Sequence, residues 1–427
     1  MPATAELIFT GDELLRGDTI NTNQAFLGSR LLQAGVLCTR SVTLTDDAGD
    51  IASALVDALK RRPEVVILSG GLGPTPDDLT REAVAQALGR PLRHYEDLYR
   101  RIADVFASYN RPMAASNRKQ ASLPEGSHPI DFTGTAPGFW LEEGDTLIAA
   151  LPGPPAELEH MWTGTLEPLL TKRLSRRSGD SDAPVAIMVR KLLLYGIGES
   201  ALAQILSELP WRGDRVDVGT RAGYSGIDLI LRAPDDPGGR SALDEVETRV
   251  RTKLGHRVYG TGEDTLASVV GGLLRERGLT LTTAESCTGG LAGKLLTDVP
   301  GSSAYYLGGA VAYSNRLKTL LLGVPESLLA AHGAVSPETA ASMALGAREQ
   351  MESDCAVSVT GIAGPDGGTP EKPVGLVYVA TAVGEDVKVR QLTLFRSRED
   401  IRQRAAHSAL DQLRLHLLGA MNAFSDA

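Results

Sequence analysis

The chain has 427 residues, of which 42% are hydrophobic, and this length predicts two or three globular domains. Its formal charge of −10 argues against a protein that works by binding nucleic-acid backbones. The cysteines Cys38, Cys287 and Cys355 have no CxxC spacing, which excludes a disulfide framework and disfavours a cysteine zinc site. Because no signal-peptide pattern or long apolar run occurs, we expect a cytoplasmic protein without a membrane segment.

Strand and helix patterns alternate from the N-terminus to about residue 170. The runs AELIFTG and EVVILSGG predict buried strands, and NTNQAFLGSRLLQAG and DIASALVDALKRR predict helices. This alternation favours parallel strands with right-handed crossovers, which bind ligands at the carboxyl ends of their strands. The polar run TKRLSRRSGDSDAP, from residue 171, then predicts an exposed linker.

The loop SGGLGPTPDDLT lies between a predicted strand and a predicted helix. Gly70, Gly71 and Gly73 allow backbone N–H groups to approach a phosphate. Asp77 and Asp78 would repel a phosphate unless a divalent cation lies between them and it. The alternative is that these aspartates cap the following helix.

Further loops follow other predicted strands of this part. They are GTAPGF (134–139), LPGPPAEL (151–158) and GDELLRGDTINTN, which contains Glu13, Asp18 and Asn23. Since loops at one edge of a sheet can converge, they favour a pocket for a metal ion and a phosphate group.

Residues from about 184 to 258 predict a smaller α+β unit. Its GYSG segment fits the GxxG pattern of RNA-binding KH loops, but it precedes a strand and lacks basic neighbours. We therefore expect no nucleic-acid partner.

The last part of the chain predicts a second α/β domain. EDTLASVVGGLLRERG has helical apolar spacing, with Gly278 placed as a C-terminal cap. The strand LTLTTAES leads directly into the helix TGGLAGKLLTDV, and CAVSVTG and VGLVYVATAV predict later strands.

Ser286 lies at the predicted strand-to-helix turn. The N–H groups around Cys287, Thr288, Gly289 and Gly290 lack intrahelical partners there, so they could bind an oxyanion or a phosphate. Spacing alone leaves both readings open. Cys287 is expected to be a bystander that contacts the substrate, since adjacent turn residues point in different directions.

A serine nucleophile needs a base, and no histidine of this domain has a suitable acidic neighbour in the sequence. Tyr313 and Lys318 are five residues apart across a predicted strand-to-helix turn. A buried lysine can accept the serine proton, directly or through a tyrosine. The alternative is that Tyr313 packs at a strand end and Lys318 is a solvated helix residue.

Two further features suggest phosphate binding. TGIAGPDGG follows a strand and forms a second glycine-rich loop, with Thr360 at its edge. Arg398 and Arg402 lie one helical turn apart and could bind a nucleotide phosphate, or could be an exposed pair on a charged helix.

The first-domain motifs GGLGPTPDDLT, GTAPGF and LPGPPAEL resemble the molybdopterin-binding (MoCF) fold as it occurs in CinA proteins. This resemblance implies a metal-dependent pyrophosphatase that acts on ADP-ribose. It implies Asp77, Asp78 and Glu13 as metal ligands, with the metal identity open, and Asn23 as a pocket residue. It also implies a phosphate loop of Gly70, Gly71, Gly73, Thr75 and Thr80. Asp131 stands where the family usually has asparagine.

The motifs TTAESCTGG, YSNRLK, TGIAGPDGGTPEKPVG and RSREDIR resemble, in order, the CinA C-terminal domain. The resemblance implies a nicotinamide-nucleotide amidase that needs no cofactor, with Ser286 as nucleophile and Tyr313 and Lys318 as proton-transfer partners. Its predicted substrate-binding residues are Cys287, Thr288, Gly289, Gly290, Thr360, Gly361, Gly364, Arg398 and Arg402.

These patterns together predict a multi-domain α/β protein. Its parts are a MoCF-like domain at 1–170, a small α+β, KH-like connecting domain at 171–260 and an amidase domain at 261–427. The expected partners are nicotinamide mononucleotide, ADP-ribose and a second copy of the chain, with no membrane. Two alternatives are a nucleotide-binding regulator of competence or DNA repair without catalysis, and a first domain that handles molybdopterin.

Overall fold

The computed structural model describes residues 3–177, 186–209, 211, 213 and 215–421. The chain forms two compact units, Met1–Met188 with Pro234–Pro237, and Val189–Ala233 with Gly238–Ala427. Both units combine helices and sheets, which confirms the predicted α/β class. Within the described ranges, no helix has the length and apolar character needed to cross a membrane.

The first unit is built on a mostly parallel sheet. Its strands are β1 (Ala3–Thr10), β2 (Val36–Leu44), β3 (Val65–Ser69), β4 (Leu92–His94), β5 (Ser122–Pro124), β6 (His128–Pro129), β7 (Phe139–Glu143) and β8 (Thr146–Leu151). The sheet order is β2-β1-β3-β8-β7-β6, with parallel pairing from β2 to β8 and antiparallel pairing beyond it, while β4 and β5 form a separate ribbon. Parallel pairing places the carboxyl ends of β1, β3 and β8 at one edge.

Helices cover this sheet and bury its apolar residues. They are α1 (Asp12–Arg16), α2 (Thr22–Gln33), α3 (Ala48–Lys60), α4 (Thr80–Leu88), α5 (Glu96–Ser108), α6 (Pro155–Met161) and α7 (Glu167–Arg177), with a 3-10 turn at Ala115–Ala121 and a π turn at Trp162–Leu166. The predicted linker at 171–184 is wrong in its first half, because α7 continues to Arg177. The rest of that segment lies outside the described residues.

The second unit begins with a small four-stranded sheet. Its elements are β9 (Ile187–Leu194), α8 (Glu199–Ile205), β10 (Asp217–Gly223), β11 (Gly226–Pro234), α9 (Pro237–Leu254), a 3-10 turn at Gly255–Arg257 and β12 (Val258–Thr261), in the sheet order β10-β11-β9-β12. GYSG forms the two-residue turn of the β10–β11 hairpin, with Gly223 paired to Gly226. The motif therefore joins two strands and does not lead into a helix.

The larger sheet of the second unit carries the serine motif. Its elements are α10 (Leu266–Arg277), β13 (Leu281–Glu285), α11 (Leu291–Thr297), a 3-10 turn at Ser302–Ala304, β14 (Tyr306–Val311), α12 (Asn315–Leu322), α13 (Glu326–His332), α14 (Pro337–Gln350), β15 (Cys355–Gly361), β16 (Leu376–Val383), β17 (Asp386–Thr393) and α15 (Arg398–Leu417). In the order β14-β13-β15-β16-β17, the first three strands are parallel. Their carboxyl ends therefore lie at one edge, and each leads into a predicted motif. Gly278 caps α10 in the left-handed conformation, as predicted.

Helix α15 contains a buried ion pair. Arg414 donates to Asp411 Oδ1 at 2.7 Å, and both side chains are almost completely buried. Burial raises the pKa of Asp411, although the Arg414 charge opposes that shift. Arg414 also donates to the carbonyl of His256 at 2.8 Å, so it connects α15 to the 3-10 turn that precedes β12.

We predict that Arg414→Met destabilises the protein by about 3–5 kcal/mol, because it leaves the Asp411 charge buried without a partner. Urea unfolding followed by circular dichroism measures the loss. The double variant Asp411→Asn/Arg414→Met is the control and should recover a large part of it. Equal losses in the single and double variants would contradict a role for the charge pair.

Candidate active site

Ser286 follows directly after β13, the strand that lies between β14 and β15. Its N–H donates to the carbonyl of Val359 on β15 at 2.9 Å, which fixes the chain where the strand ends. The residue is only 7% exposed. The glycine-rich segment that follows turns the chain into α11, with positive φ angles at Gly289 and Gly290. The predicted strand–turn–helix is therefore present.

Lys318 is the partner of Ser286. It lies on α12, is 1% exposed, and its Nζ is 3.0 Å from Ser286 Oγ. Nζ also lies 2.9 Å from the carbonyl oxygen of Ala312 and 3.2 Å from that of Tyr313. The alternative of a solvated lysine is therefore wrong.

The surroundings of Lys318 favour the neutral amine. Burial lowers the pKa of Lys318, and no carboxylate among the described residues forms an ion pair with it. A neutral amine has two N–H donors and one lone pair. The carbonyls of Ala312 and Tyr313 accept from Lys318 Nζ, which also donates to Ser286 Oγ; once the lysine is neutral, its lone pair can instead accept the Ser286 hydroxyl. This arrangement suits a base that accepts the serine proton.

The turn after Ser286 offers fewer free amides than the sequence suggested. The Gly289 N–H donates to the Ser286 carbonyl at 3.1 Å, and the Gly290 N–H donates to Glu285 Oε2 at 3.0 Å. In the described part of the chain, the N–H groups of Cys287 and Thr288 have no partner. The candidate oxyanion donors are therefore these two. The hydroxyl of Thr288 is also buried without a partner.

Glu285 is a site residue that the sequence reasoning missed. Its carboxylate accepts from the N–H groups of Gly290 at 3.0 Å, Ala292 at 3.1 Å and Gly293 at 2.8 Å. These bonds place a carboxylate on three N–H groups at the start of α11, which disfavours the binding of a substrate phosphate there. A glutamate that ends an apolar strand beside a candidate nucleophile was the available signal.

Neither the Tyr313 hydroxyl nor the Cys287 thiol is positioned or protonated as the serine–lysine pair is. The Tyr313 side chain is 60% exposed and its hydroxyl is 3.4 Å from Arg398, while only its backbone carbonyl contacts Lys318. The Tyr313 hydroxyl has no contact with Ser286 or Lys318 in this structure. Burial raises the pKa of Cys287 to about 12, which keeps it a thiol and disfavours it as a nucleophile.

Arg398 and Arg402 both reach the loops at this edge. Arg398 donates to the carbonyl of Gly364 at 2.7 Å, and Arg402 donates to the carbonyl of Thr288 at 2.9 Å. The alternative of an exposed pair on a charged helix holds for Arg398, which is exposed, but not for Arg402. Arg398 remains exposed and Arg402 is half-buried, so both can offer further N–H donors to a ligand.

The second glycine-rich loop differs in part from expectation. The Thr360 hydroxyl is buried and donates to the Ala334 carbonyl at 2.7 Å, so it does not line an open edge. Gly361 lies against the backbone of β16, and Gly364, with a positive φ, lies against Val374. These glycines are explained by close packing, and Gly364 contributes its carbonyl to Arg398.

The first unit has a cavity of about 360 Å³ at the predicted edge of its sheet. All four predicted loops contribute, through the lining residues Thr10, Glu13, Asp46, Gly70, Gly71, Leu72, Gly73, Asp77, Asp78, Gln120, Thr135, Ala136, Pro152, Gly153, Pro154 and Glu157. Among the described residues, the N–H groups of Gly71, Leu72 and Gly73 have no partner, as a phosphate-binding loop requires. Asp46 and Glu157 were not identified from the sequence.

Several predicted loop residues instead stabilise the loop itself. Thr80 is buried and donates to the Gly70 carbonyl at 2.8 Å, and Asp78 accepts from both the N–H and the hydroxyl of Thr75. Neither Asp77 nor Asp78 caps α4, whose N-cap Leu79 has no side-chain hydrogen bond. Capping therefore does not explain this acidic pair.

Acidic groups in the cavity influence one another. Burial raises the pKa of Asp46, and the nearby charges of Glu13 and Asp77 add to the effect. Burial also raises the pKa of Glu157, whose Oε2 is buried without a partner. Across the described ranges, no three acidic, histidine or cysteine side chains are grouped so that they could hold a metal ion. Glu13, Asp77 and Asp78 thus do not form a complete metal site by themselves.

The remaining predicted residues of the first unit lie outside this cavity. Asn23 lines an adjoining depression, where its side chain donates to the Gly153 carbonyl at 2.7 Å. Asp131 is 73% exposed at its side chain and is paired with Arg101. Its negative charge therefore does not enter the cavity.

Three family models match this chain. Residues 6–172 match the molybdopterin binding domain, 189–260 the KH domain of damage-inducible protein CinA, and 263–417 the CinA C-terminal domain. A relative from Symbiobacterium thermophilum, named as a competence-damage inducible protein, is 43% identical and covers 98% of this chain and 100% of its own length. A CinA-like protein from Synechocystis is 41% identical over 97% of this chain and 99% of its own length. The chain therefore belongs to the CinA family.

Proposed function

We propose that the C-terminal domain is a serine amidase that converts nicotinamide mononucleotide to nicotinate mononucleotide and ammonia. The observation that carries this proposal is the buried contact of 3.0 Å between Lys318 Nζ and Ser286 Oγ. A module that only binds a nucleotide has no need for a buried lysine against a serine hydroxyl. The resemblance to nicotinamide-nucleotide amidases supplies the substrate class.

In the first half-reaction, Lys318 accepts the proton of Ser286 while Oγ attacks the carboxamide carbon. The carbonyl oxygen becomes an oxyanion, for which the N–H groups of Cys287 and Thr288 are the candidate donors. Lys318, now an ammonium, donates its proton to the leaving nitrogen as the C–N bond breaks. Ammonia leaves and an acyl-serine remains.

In the second half-reaction, water attacks the acyl-serine. Lys318 accepts a proton from the water and returns it to Ser286 Oγ, which restores the starting state. Arg398 and Arg402 are proposed to bind the substrate phosphate, since the start of α11 is already satisfied by Glu285. Tyr313, whose hydroxyl lies next to Arg398, is proposed to contact the substrate bound at Ser286 and Lys318.

We predict that Ser286→Ala lowers ammonia release from nicotinamide mononucleotide by at least about a thousandfold, because the attacking oxygen is lost. A coupled ammonia assay with chelator present measures it. Cys287→Ala is the matched control and should keep activity within about tenfold. Residual activity in Ser286→Ala similar to that of Cys287→Ala would reject the serine as nucleophile.

The rate should also depend on the protonation of Lys318. The neutral amine is the active base, so kcat/KM rises with pH through the pKa of Lys318. Since burial lowers that pKa, the inflection should lie below the ordinary lysine value of 10.5. A pH profile of kcat/KM measures it. Lys318→Arg, which stays protonated throughout, should show no rising limb; a rising limb that persists in this variant would assign the inflection to another group.

For the N-terminal domain, we propose a metal-dependent pyrophosphatase that acts on ADP-ribose. The support is the cavity in which the free N–H groups of Gly71, Leu72 and Gly73 lie with the carboxylates of Glu13, Asp46 and Asp77. A divalent cation bound by one or two of these carboxylates and by the substrate would neutralise charge on the pyrophosphate. The loop amides would hold and orient the phosphate oxygens.

We predict that Asp77→Asn reduces the release of AMP and ribose 5-phosphate from ADP-ribose by about a hundredfold, because a carboxylate ligand is lost. Chromatography of the products with added Mg²⁺ or Mn²⁺ measures it. Asp131→Asn is the matched control and should behave like the wild type, since Asp131 is exposed and lies outside the cavity. Cleavage that resists a chelator would contradict the metal requirement.

A further inference from the structure

Glu285 connects both members of the serine–lysine pair. Its carboxylate receives the N–H groups of Gly290, Ala292 and Gly293, so it fixes the turn that begins with Ser286. Its backbone carbonyl accepts from the Ala312 N–H at 2.8 Å. The Ala312 carbonyl in turn accepts from Lys318 Nζ at 2.9 Å. The Glu285 side chain therefore secures the turn that begins with its neighbour Ser286, and its backbone is linked through Ala312 to Lys318.

We propose that Glu285 is a positioning residue that holds Ser286 Oγ against Lys318 Nζ and keeps the Cys287 and Thr288 amides directed to the reacting carbonyl. This inference rests on the proposed amidase function. Glu285 does not touch the substrate in this proposal. Its side chain acts by fixing the turn that carries Ser286, whereas the bond to Ala312 is made by its backbone and is kept when the side chain is replaced.

The chemistry of the side chain explains why glutamate is needed. A carboxylate has acceptor capacity for all three N–H groups, and it brings a negative charge to the start of α11. A glutamine has one acceptor oxygen, and its amide N–H groups face other donors. Glu285→Gln therefore keeps the size of the side chain while loosening the turn.

A residue that only caps the helix would make the same bonds. The test therefore needs a measurement of the reactivity of Ser286 and Lys318. A fluorophosphonate probe provides one, because Ser286 Oγ forms a P–O bond, fluoride leaves and Lys318 takes the serine proton. The probe carries no nucleotide, so its rate reports on Ser286 and Lys318 whether or not the proposed substrate is correct. Mass spectrometry identifies the labelled serine.

The matched control is Asp354→Asn. Asp354 accepts from both the N–H and the hydroxyl of Thr280 at 2.8 Å, just before β13 begins and therefore at the end opposite Ser286. It is thus a carboxylate that secures the same strand far from the pair. Glu285→Asp, which keeps the charge on a shorter side chain, is the conservative variant.

We expect Glu285→Gln to lower the labelling rate and the kcat for nicotinamide mononucleotide by about a hundredfold, with KM changed by less than about threefold. Asp354→Asn should keep the wild-type labelling rate at a similar melting temperature, and Glu285→Asp should recover part of the rate. Wild-type labelling in Glu285→Gln, or equal losses in Glu285→Gln and Asp354→Asn, would overturn the proposal.

The outcomes also separate this proposal from the proposed function. If the wild type is labelled at Ser286 but does not release ammonia, the substrate is wrong and the comparison of labelling rates still decides the role of Glu285. If the wild type is neither labelled nor active, both the amidase and the positioning role are overturned.

Discussion

The burial of Lys318 is the constraint on which the rest of the C-terminal site depends. A lysine that is 1% exposed and has no ion-pair partner among the described residues is costly to keep charged, so its environment favours the neutral amine. Two backbone carbonyls and one serine hydroxyl are the groups that surround Nζ. These three groups can bond to either protonation state of the lysine, and burial lowers its pKa, which supports its proposed role as a base in a site without a histidine.

Sheet topology explains why this arrangement forms from distant segments. Ser286, the Ala312–Tyr313 segment and the loop at Gly364 each follow one of the parallel strands β13, β14 and β15. Parallel neighbours end at the same edge, so the three segments meet there. The first unit follows the same rule independently, because the loops after β1, β3 and β8 line its acidic cavity. Each candidate site is therefore located by strand order and then defined by loop chemistry.

Sequence reasoning recovered the features that depend on local patterns. The alternation of strands and helices, the strand-to-helix turn at Ser286 and the cap at Gly278 follow from apolar spacing and glycine conformation.

Sequence reasoning did not predict the hydrogen-bond partners of individual polar side chains. The hydroxyls of Thr80 and Thr360 bond to backbone carbonyls rather than to an open pocket. Asp46 lines the cavity, although no sequence motif indicated it. Its position depends on the pairing of β1 with β2, which the sequence does not show directly. Polar composition likewise predicted a linker where α7 continues, since helices tolerate exposed charged residues on their outer face.

The placement of charge around Ser286 follows from where Glu285 lies. By accepting three N–H groups, Glu285 removes the usual attraction of a helix start for anions. Under the proposed function, a neutral carboxamide would meet the reacting centre and the substrate phosphate would meet Arg398 and Arg402.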